Sequence, residues 1–441
     1  MIPNHPQFDK SKKTLEGANV QMLLRKFGSP LFVFSERILK EKFRLFRSVL
    51  NDLYPCSRIA YVLSANYVPG IVRILKNEGA WVVANSEFEY WLAKKIGFEE
   101  SHTVFNGLWP GLFPQAETPI FLNDFSELEC LNKLAQKNGS IAKIGLTVQI
   151  SHANGRIWNC HGFNLESGEV KTALHLVKGK LTYLKACGFR FNLGTNLDDP
   201  EYYLYALERL IKLIKELGHD FADNLEYLSV GGGFAVPGSR WLYKSIWPVL
   251  TIENYVGPIA QELLKSFPRP PLLIFEPGRY LVDEAGVLLS MVLYAKRIPG
   301  AHIVKEGELF LNIERDTSPE DNKAQIVYVD AGVYSVLPAA NIRSFNVDVI
   351  SNQYSENSEK LQTYVIGNSL RGNDFLSRDN VLPELKKEDI LVFYNAGAYT
   401  LSRSAQFVHP RPAVVIVGED GSVASLRNKE SFEHISSLDI F

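Results

Sequence analysis

The sequence is short of cysteine and has no excess of either charge. Only four cysteines occur in 441 residues, Cys56, Cys130, Cys160 and Cys187, with no close pair of the kind that builds a zinc site or a disulfide framework. Each reads as a small buried apolar residue, and a reducing, cytoplasmic setting is expected. Lys plus Arg number 47 against 49 Asp plus Glu, a formal net charge of −2. No basic excess therefore points to nucleic acid, and no acidic block points to a solvating tail. Long hydrophobic runs are missing too. The longest, Ala285 to Ala295, is too short to span a bilayer. Met1 to Lys13 is polar, contains Pro3 and Pro6, and lacks the apolar core of a signal peptide. There is no internal repeat or low-complexity tract, and Ser351 to Lys360 is polar enough to be a loop or an insertion. No metal, nucleic acid or membrane partner is expected.

What remains is a chain of ordinary globular composition, 46% hydrophobic and 22% charged, longer than one core usually supports, so two domains are expected. Leu31 to Phe34 reads as a strand, followed by an amphipathic helix opened by Ser35 with Glu36 in its first turn. Eight apolar runs then read as strands: Arg58 to Leu63, Ala80 to Ala84, His102 to Phe105, Pro119 to Leu122, Ala142 to Ile150, Tyr183 to Phe191, Leu225 to Val230 and Leu272 to Phe275. Helix-length amphipathic segments lie between them, at Val68 to Asn77, Glu87 to Ile96, Phe125 to Lys137, Pro200 to Leu217 and Asn254 to Phe267. Strands that are apolar throughout and separated by helices predict a parallel (β/α)8 barrel, whose active site lies at the C-terminal strand ends. After about Glu276 helical periodicity nearly vanishes. Ile326 to Asp330, Thr363 to Ile366, Ile390 to Tyr394 and Ala413 to Val417 predict a mostly β C-terminal domain. The expected division is a barrel over residues 28–277 and a β-rich domain from residues 1–27 plus 278–441.

At the end of the seventh run stand Gly231, Gly232 and Gly233. By itself such a triplet is either a tight turn with positive φ or a cradle of backbone N–H groups for an anion. The chain also carries Tyr61-Val-Leu-Ser-Ala-Asn66, Gly188-Phe-Arg-Phe-Asn-Leu-Gly-Thr195, Glu276-Pro-Gly-Arg-Tyr280, Val329-Asp-Ala-Gly-Val-Tyr334, Gly367-Asn-Ser-Leu-Arg-Gly-Asn-Asp374 and Asn395-Ala-Gly-Ala-Tyr-Thr400.

Together and in this order, these motifs resemble the fold-type III pyridoxal-phosphate-dependent decarboxylases, the group of ornithine, diaminopimelate and arginine decarboxylases, from about Phe27 to Pro412. The resemblance implies a homodimer with active sites at the subunit interface. It gives Gly231, Gly232 and Gly233 to the cofactor phosphate, joined by Gly278, Arg279 and Tyr399, and sets Glu276 against the pyridine nitrogen.

Three positions depart from the family pattern. Ser64 stands where the family's lysine forms the covalent imine, which needs a primary amine. Asn192 stands where a histidine packs on the ring. Leu370 stands where the partner subunit donates a cysteine as acid. Lys143 and Lys185 fall at the wrong ends of their strands to substitute for the lysine.

Tyr334, Arg371 and Asp374 fall at substrate positions. Asp330 to Tyr334 looks closer to the ornithine type. Arg371 replaces an acidic residue and is either a solvated loop charge or a group that prefers a distal carboxylate or phosphate to an amine. Leu337 stands where the diaminopimelate type has an arginine.

Pyridoxal 5'-phosphate, if bound, is expected to be non-covalent, and standard decarboxylation is expected to be lost. Two alternatives stand beside this: an atypical carboxy-lyase acting on an amino acid with an anionic distal group, and a non-catalytic regulatory subunit forming a heterodimer with an active relative.

Overall fold

The computed structural model describes residues 7–109, 118–151, 161–236, 240–241, 244–245, 250–298, 324–341, 343–350 and 358–441. Cys160 and most of the polar stretch after Ser351 lie outside the described residues. Eight parallel strands form a closed barrel: β1 (Ser57–Val62), β2 (Trp81–Ala84), β3 (Thr103–Asn106), β4 (Ile120–Leu122), β5 (Ala142–Gln149), β6 (Leu184–Arg190), β7 (Tyr227–Ser229) and β8 (Leu272–Phe275). Closure comes from β8 on β1, with Leu273 opposite Ser57, and from β4 on β5, with Phe121 opposite Gly145. These are the expected eight runs. The helices Pro69–Asn77, Glu87–Ile96, Phe125–Lys137, Glu201–Glu216 and Ile252–Ser266 lie within two residues of their expected bounds.

Local chemistry sets the helix starts. Ser35, Ser86 and Asp124 each accept a hydrogen bond from the backbone N–H three residues on, satisfying an amide the helix cannot. Helix Glu36–Leu53 buries Ile38, Leu39, Phe43, Phe46, Val49 and Leu50, one face at helical spacing, and packs against helix Ile252–Ser266.

Inside the barrel, Phe121 and Tyr227 meet edge to face at 5.4 Å. Gly145 and Gly188 make room for them: a Cβ on Gly188 would fall 2.2 Å from the Tyr227 ring. This aromatic layer fills the barrel interior, so a ligand can enter only from the C-terminal strand ends.

The β-rich domain is built on the long strand Gly286–Ile298. Its first half pairs with Leu31–Ser35 and Ile390–Phe393, its second half with Ala324–Val329, and Ala413–Val417 extends the sheet beyond Leu31–Ser35. This corrects the expected division at one element. Leu31–Ser35, counted with the barrel by its place in the chain, is a strand of the β domain, paired antiparallel with Gly286–Leu289 and parallel with Ala413–Val417. The residues before it pack on the same domain, with Phe8, Leu15, Val20 and Leu23 in a core shared with Val33, Val287, Val392 and Val415. Among the described residues no helix is long and apolar enough to cross a membrane.

Truncating the interior plug with Tyr227→Ala is expected to lower the unfolding free energy by about 3–5 kcal/mol. A urea titration showing an unchanged midpoint would contradict the packing described.

Candidate functional site

A cavity of about 700 Å³ opens at the C-terminal ends of the barrel strands. Strand ends bring unlike groups to it because each strand stops there and its loop turns outward. After β1 the short turn Leu63–Ala65 carries Ser64, half-buried in the wall. β6 delivers Arg190 and, just beyond it, Asn192; β7 leads to Gly232 and Gly233; β8 leads to Glu276 and then Gly278 and Arg279. Tyr399 reaches in from the β domain. Ser64, Asn192, Gly232, Gly233, Glu276, Gly278, Arg279 and Tyr399 thus line one space.

The glycines are required by close backbone approach. A Cβ on Gly231 would lie 2.5 Å from the Phe191 carbonyl, on Gly232 2.2 Å from the Glu276 carbonyl, and on Gly233 2.5 Å from the Gly194 carbonyl. Gly231 and Gly233 also have φ of 70° and 96°, which other residues adopt only under strain. A Cβ on Gly278 would meet Ala65 at 2.9 Å and the Tyr399 hydroxyl at 3.3 Å. Gly278 and the hydroxyl therefore share one corner of the cavity.

Arg279 closes that corner. It is 5% exposed, and its guanidinium lies 5.0 Å from the centre of the Tyr399 ring and 3.5 Å from the Asp283 carboxylate. Its Nε and Nη1 have no hydrogen-bond partner among the described residues. Burial raises the Tyr399 pKa, against the pull of Arg279, so the phenol stays protonated and can donate. Spare donors on a buried cation beside a neutral phenol make a site for an anion.

Asp283 fixes this corner to the β domain. Fully buried, it accepts two hydrogen bonds from Arg343, at 2.9 and 3.1 Å, and one from the Ala398 backbone at 3.1 Å. The loop that carries Tyr399 is also stitched to the Ser64 turn: Tyr399 donates its N–H to the Ala65 carbonyl at 2.8 Å, and Asn66 donates its side-chain amide to the Gly397 carbonyl at 2.9 Å.

Across the cavity, Arg190 donates from Nε and Nη2 to the two oxygens of Glu276, each at 2.8 Å, and the Ser229 hydroxyl donates to Glu276 at 2.6 Å. Arg190 carries no sequence mark beyond its place at the end of β6. Two further carboxylates could have been found by spacing. Asn85 and Glu89 at the exit of β2 repeat as Asn123 and Glu127 at the exit of β4, and in each pair the Glu accepts the backbone and side-chain N–H groups of its Asn. Glu127 lines the cavity, and burial raises its pKa.

The remaining expected residues lie apart from this cavity. Leu370 is 98% exposed with φ of 60°. The Arg371 guanidinium lies 5.6 Å from the Tyr334 ring and 5.7 Å from the Phe407 ring, and those two rings are 4.8 Å apart. Asp374 is corrected from a substrate contact to a loop anchor. It is fully buried and accepts the N–H groups of Val333, at 2.7 Å, and Ser369, at 2.9 Å, as well as the Ser369 hydroxyl. Asp330, in the motif that looked ornithine-like, is likewise engaged by Ser290 and the Met291 backbone. Among the described residues no cluster of three metal-ligating side chains occurs.

Residues 36–283 match the family model of the pyridoxal-dependent decarboxylases, pyridoxal binding domain. The chain is 26% identical over 443 residues to a diaminopimelate decarboxylase of Aquifex aeolicus, covering 97% of this chain and 96% of that one. It is 26% identical over 455 residues to the diaminopimelate decarboxylase of Methanothermobacter thermautotrophicus, covering 99% and 97%. The crystal structure of diaminopimelate decarboxylase from Methanocaldococcus jannaschii in complex with L-lysine superimposes with a TM-score of 0.82 at 22% identity, covering 100% of this chain and 99% of that one.

Pyridoxal phosphate, the cofactor of that family, fits one end of this cavity. The corner formed by Gly232, Gly233, Gly278, Arg279 and Tyr399 has the charge and donors to suit a phosphate. Among the described residues no lysine lines the cavity. Lys143 lies at the start of β5, paired with Glu226 at 2.9 Å, and Lys185 is exposed at the start of β6.

Asp283→Ala leaves Arg343 buried without its carboxylate and is expected to lose about 3–5 kcal/mol of stability. Because both guanidiniums are then left without a counter-charge, inorganic phosphate should protect this variant more against thermal unfolding than it protects the wild type. Equal protection would dissociate Asp283 from the anion corner.

Proposed function

The chain belongs to the pyridoxal-dependent decarboxylases, and from that premise we propose that it is a divergent member that holds pyridoxal phosphate by the phosphate alone, with the standard decarboxylation lost. Ser64 carries this proposal. It occupies the cavity wall where the family motif has its lysine, and a hydroxyl cannot form an imine. When bound, the cofactor supplies an aldehyde and an electron-accepting ring. Arg279 and Tyr399 would hold its phosphate through charge-assisted hydrogen bonds, with the glycine backbone against the same group. Asn192 would lie along the ring with an amide and no imidazole. Leu370, taken as facing a partner's cavity in a homodimer, has no proton to give.

A second reading is favoured by Arg371. Held against the faces of Tyr334 and Phe407, its guanidinium is positioned by cation–π attraction and stays available to an anion. In a homodimer that sets this surface over the partner's cavity, it would select an amino acid with a distal carboxylate or phosphate, and the protein would be an atypical carboxy-lyase. In the same arrangement, pairing with an active relative would make the chain a regulatory subunit. It would supply no acid from Leu370.

Purified protein is expected to bind pyridoxal phosphate reversibly and to show no borohydride-reducible adduct mapping to the cavity. Arg279→Gln should weaken binding about tenfold to a hundredfold, the loss of a charge-assisted contact of about 1.5–3 kcal/mol. Ser64→Lys should gain a reducible link at residue 64. A cavity adduct in the unmodified protein, or no binding at millimolar cofactor, would refute the proposal. Release of carbon dioxide from an amino acid with an anionic side chain would select the second reading.

A further inference from the structure

The floor of the cavity is set by one buried ion pair. Glu276 is 2% exposed and Arg190 6%. One Glu276 oxygen accepts from Arg190 Nε and from the Ser229 hydroxyl, and the other accepts from Arg190 Nη2. A carboxylate oxygen accepts about two such bonds, so the first oxygen is saturated and one acceptor position remains on the second. The planar fork of the guanidinium fixes the pair as a rigid unit, which a lysine could not do. Both residues line the same space as Gly232, Gly278, Arg279 and Tyr399. A ring anchored at the phosphate end therefore faces a carboxylate whose charge is already matched.

We propose that Arg190 is a specificity-determining residue: by taking both oxygens of Glu276 it presents a neutral ion pair to an anchored heteroaromatic phosphate, so that the site selects a ring with an unprotonated nitrogen. This rests on the pyridoxal-phosphate reading of the cavity and departs from the role the family motif gives Glu276. A free carboxylate attracts a ring N–H cation and holds the proton on the nitrogen. Here the guanidinium, bonded to the same two oxygens, repels that cation and weakens the attraction. The other titratable groups lining the cavity are Glu87, Asp124, Glu127, His161, Arg279 and Tyr399. None of them hydrogen-bonds to Glu276, whose side-chain partners are Arg190 and Ser229.

The test uses 4-deoxypyridoxine phosphate labelled with nitrogen-15 in the ring. It keeps the phosphate and the ring nitrogen but has no aldehyde to react with surface lysines. In the wild-type protein between pH 6 and 8 the bound ring is expected to give the nitrogen shift of a neutral pyridine. Its affinity should rise with pH, because binding the neutral form expels a proton from a ligand that is protonated in solution. Arg190→Gln frees the carboxylate and should reverse the ring signal to that of a pyridinium and abolish the rise of affinity with pH, because a ring already protonated in solution then binds without releasing a proton. Should that variant fail to fold, Arg190→His keeps one hydrogen bond to Glu276 and should show the same reversal above the titration of its imidazole. A pyridinium signal in the wild type overturns this inference and leaves the proposed function standing. Failure of the wild type and of either variant to bind the probe overturns both.

Discussion

Much of this structure depends on the one buried carboxylate of Asp283, which faces two guanidinium groups. Arg343 is bonded to it through two nitrogens and Arg279 lies 3.5 Å away, all three buried. Burial lowers the Arg343 pKa and Asp283 opposes this, while Arg279 pushes the same way as burial. Two cations on one anion leave a net positive charge in a place where uncompensated charge is costly. The cavity corner between Arg279, Gly278 and Tyr399 offers an anion an approach to this charge. The same carboxylate bonds to the Ala398 backbone, and its own carbonyl accepts the Gly397 N–H at 3.1 Å. The charge that calls for an anion and the fold that positions Tyr399 are thus properties of one group.

The barrel was legible in the sequence because each of its strands is a local signal: an apolar run bounded by turn residues and followed by a helix with its own cap. What local pattern cannot give is the partner of a strand. Leu31–Ser35 precedes a barrel helix in the chain, yet its neighbours in the sheet start at Gly286 and Ala413. Apart from the hairpins Lys360–Ile366 with Phe375–Pro383 and Ala413–Val417 with Val423–Arg427, the β domain's sheet rests on such distant pairings, and only the existence of its strands, not their order, could be read from period and composition.

The site was legible to a similar depth. Gly232, Gly233, Glu276, Gly278, Arg279 and Tyr399 were marked by motif and do line one cavity, while Gly231, marked with them, is not in its wall. Their couplings were not marked. Arg190 and Glu276 are 86 residues apart, and nothing at either position announces that a carboxylate expected to face a ring faces a guanidinium instead. Asp374 failed for the opposite reason. A carboxylate in a turn is the natural acceptor for nearby backbone N–H groups, and three hydrogen bonds from Val333 and Ser369 claim it before any substrate could. Arg371 has no such local claimant and stays at the surface.

The glycine cradle and the anion corner differ as signs of a ligand. The cradle is explained by packing alone, because carbonyls of neighbouring strand ends stand where each Cβ would go; a protein with no ligand would need those glycines equally. The Ser64 hydroxyl makes no hydrogen bond among the described residues, so the fold constrains that side chain little. Arg279 is another matter. A buried donor left without a partner costs about 1–3 kcal/mol, and Arg279 keeps two, Nε and Nη1, while the ion pair at Asp283 and the ring of Tyr399 hold its guanidinium at the cavity edge. Folding gains nothing from those two N–H groups being unmet. An anion in the corner would offset the charge of Arg279 that Asp283 shares with Arg343, which makes Arg279, ahead of the glycines, the residue whose state reports whether this protein still carries a phosphate ligand.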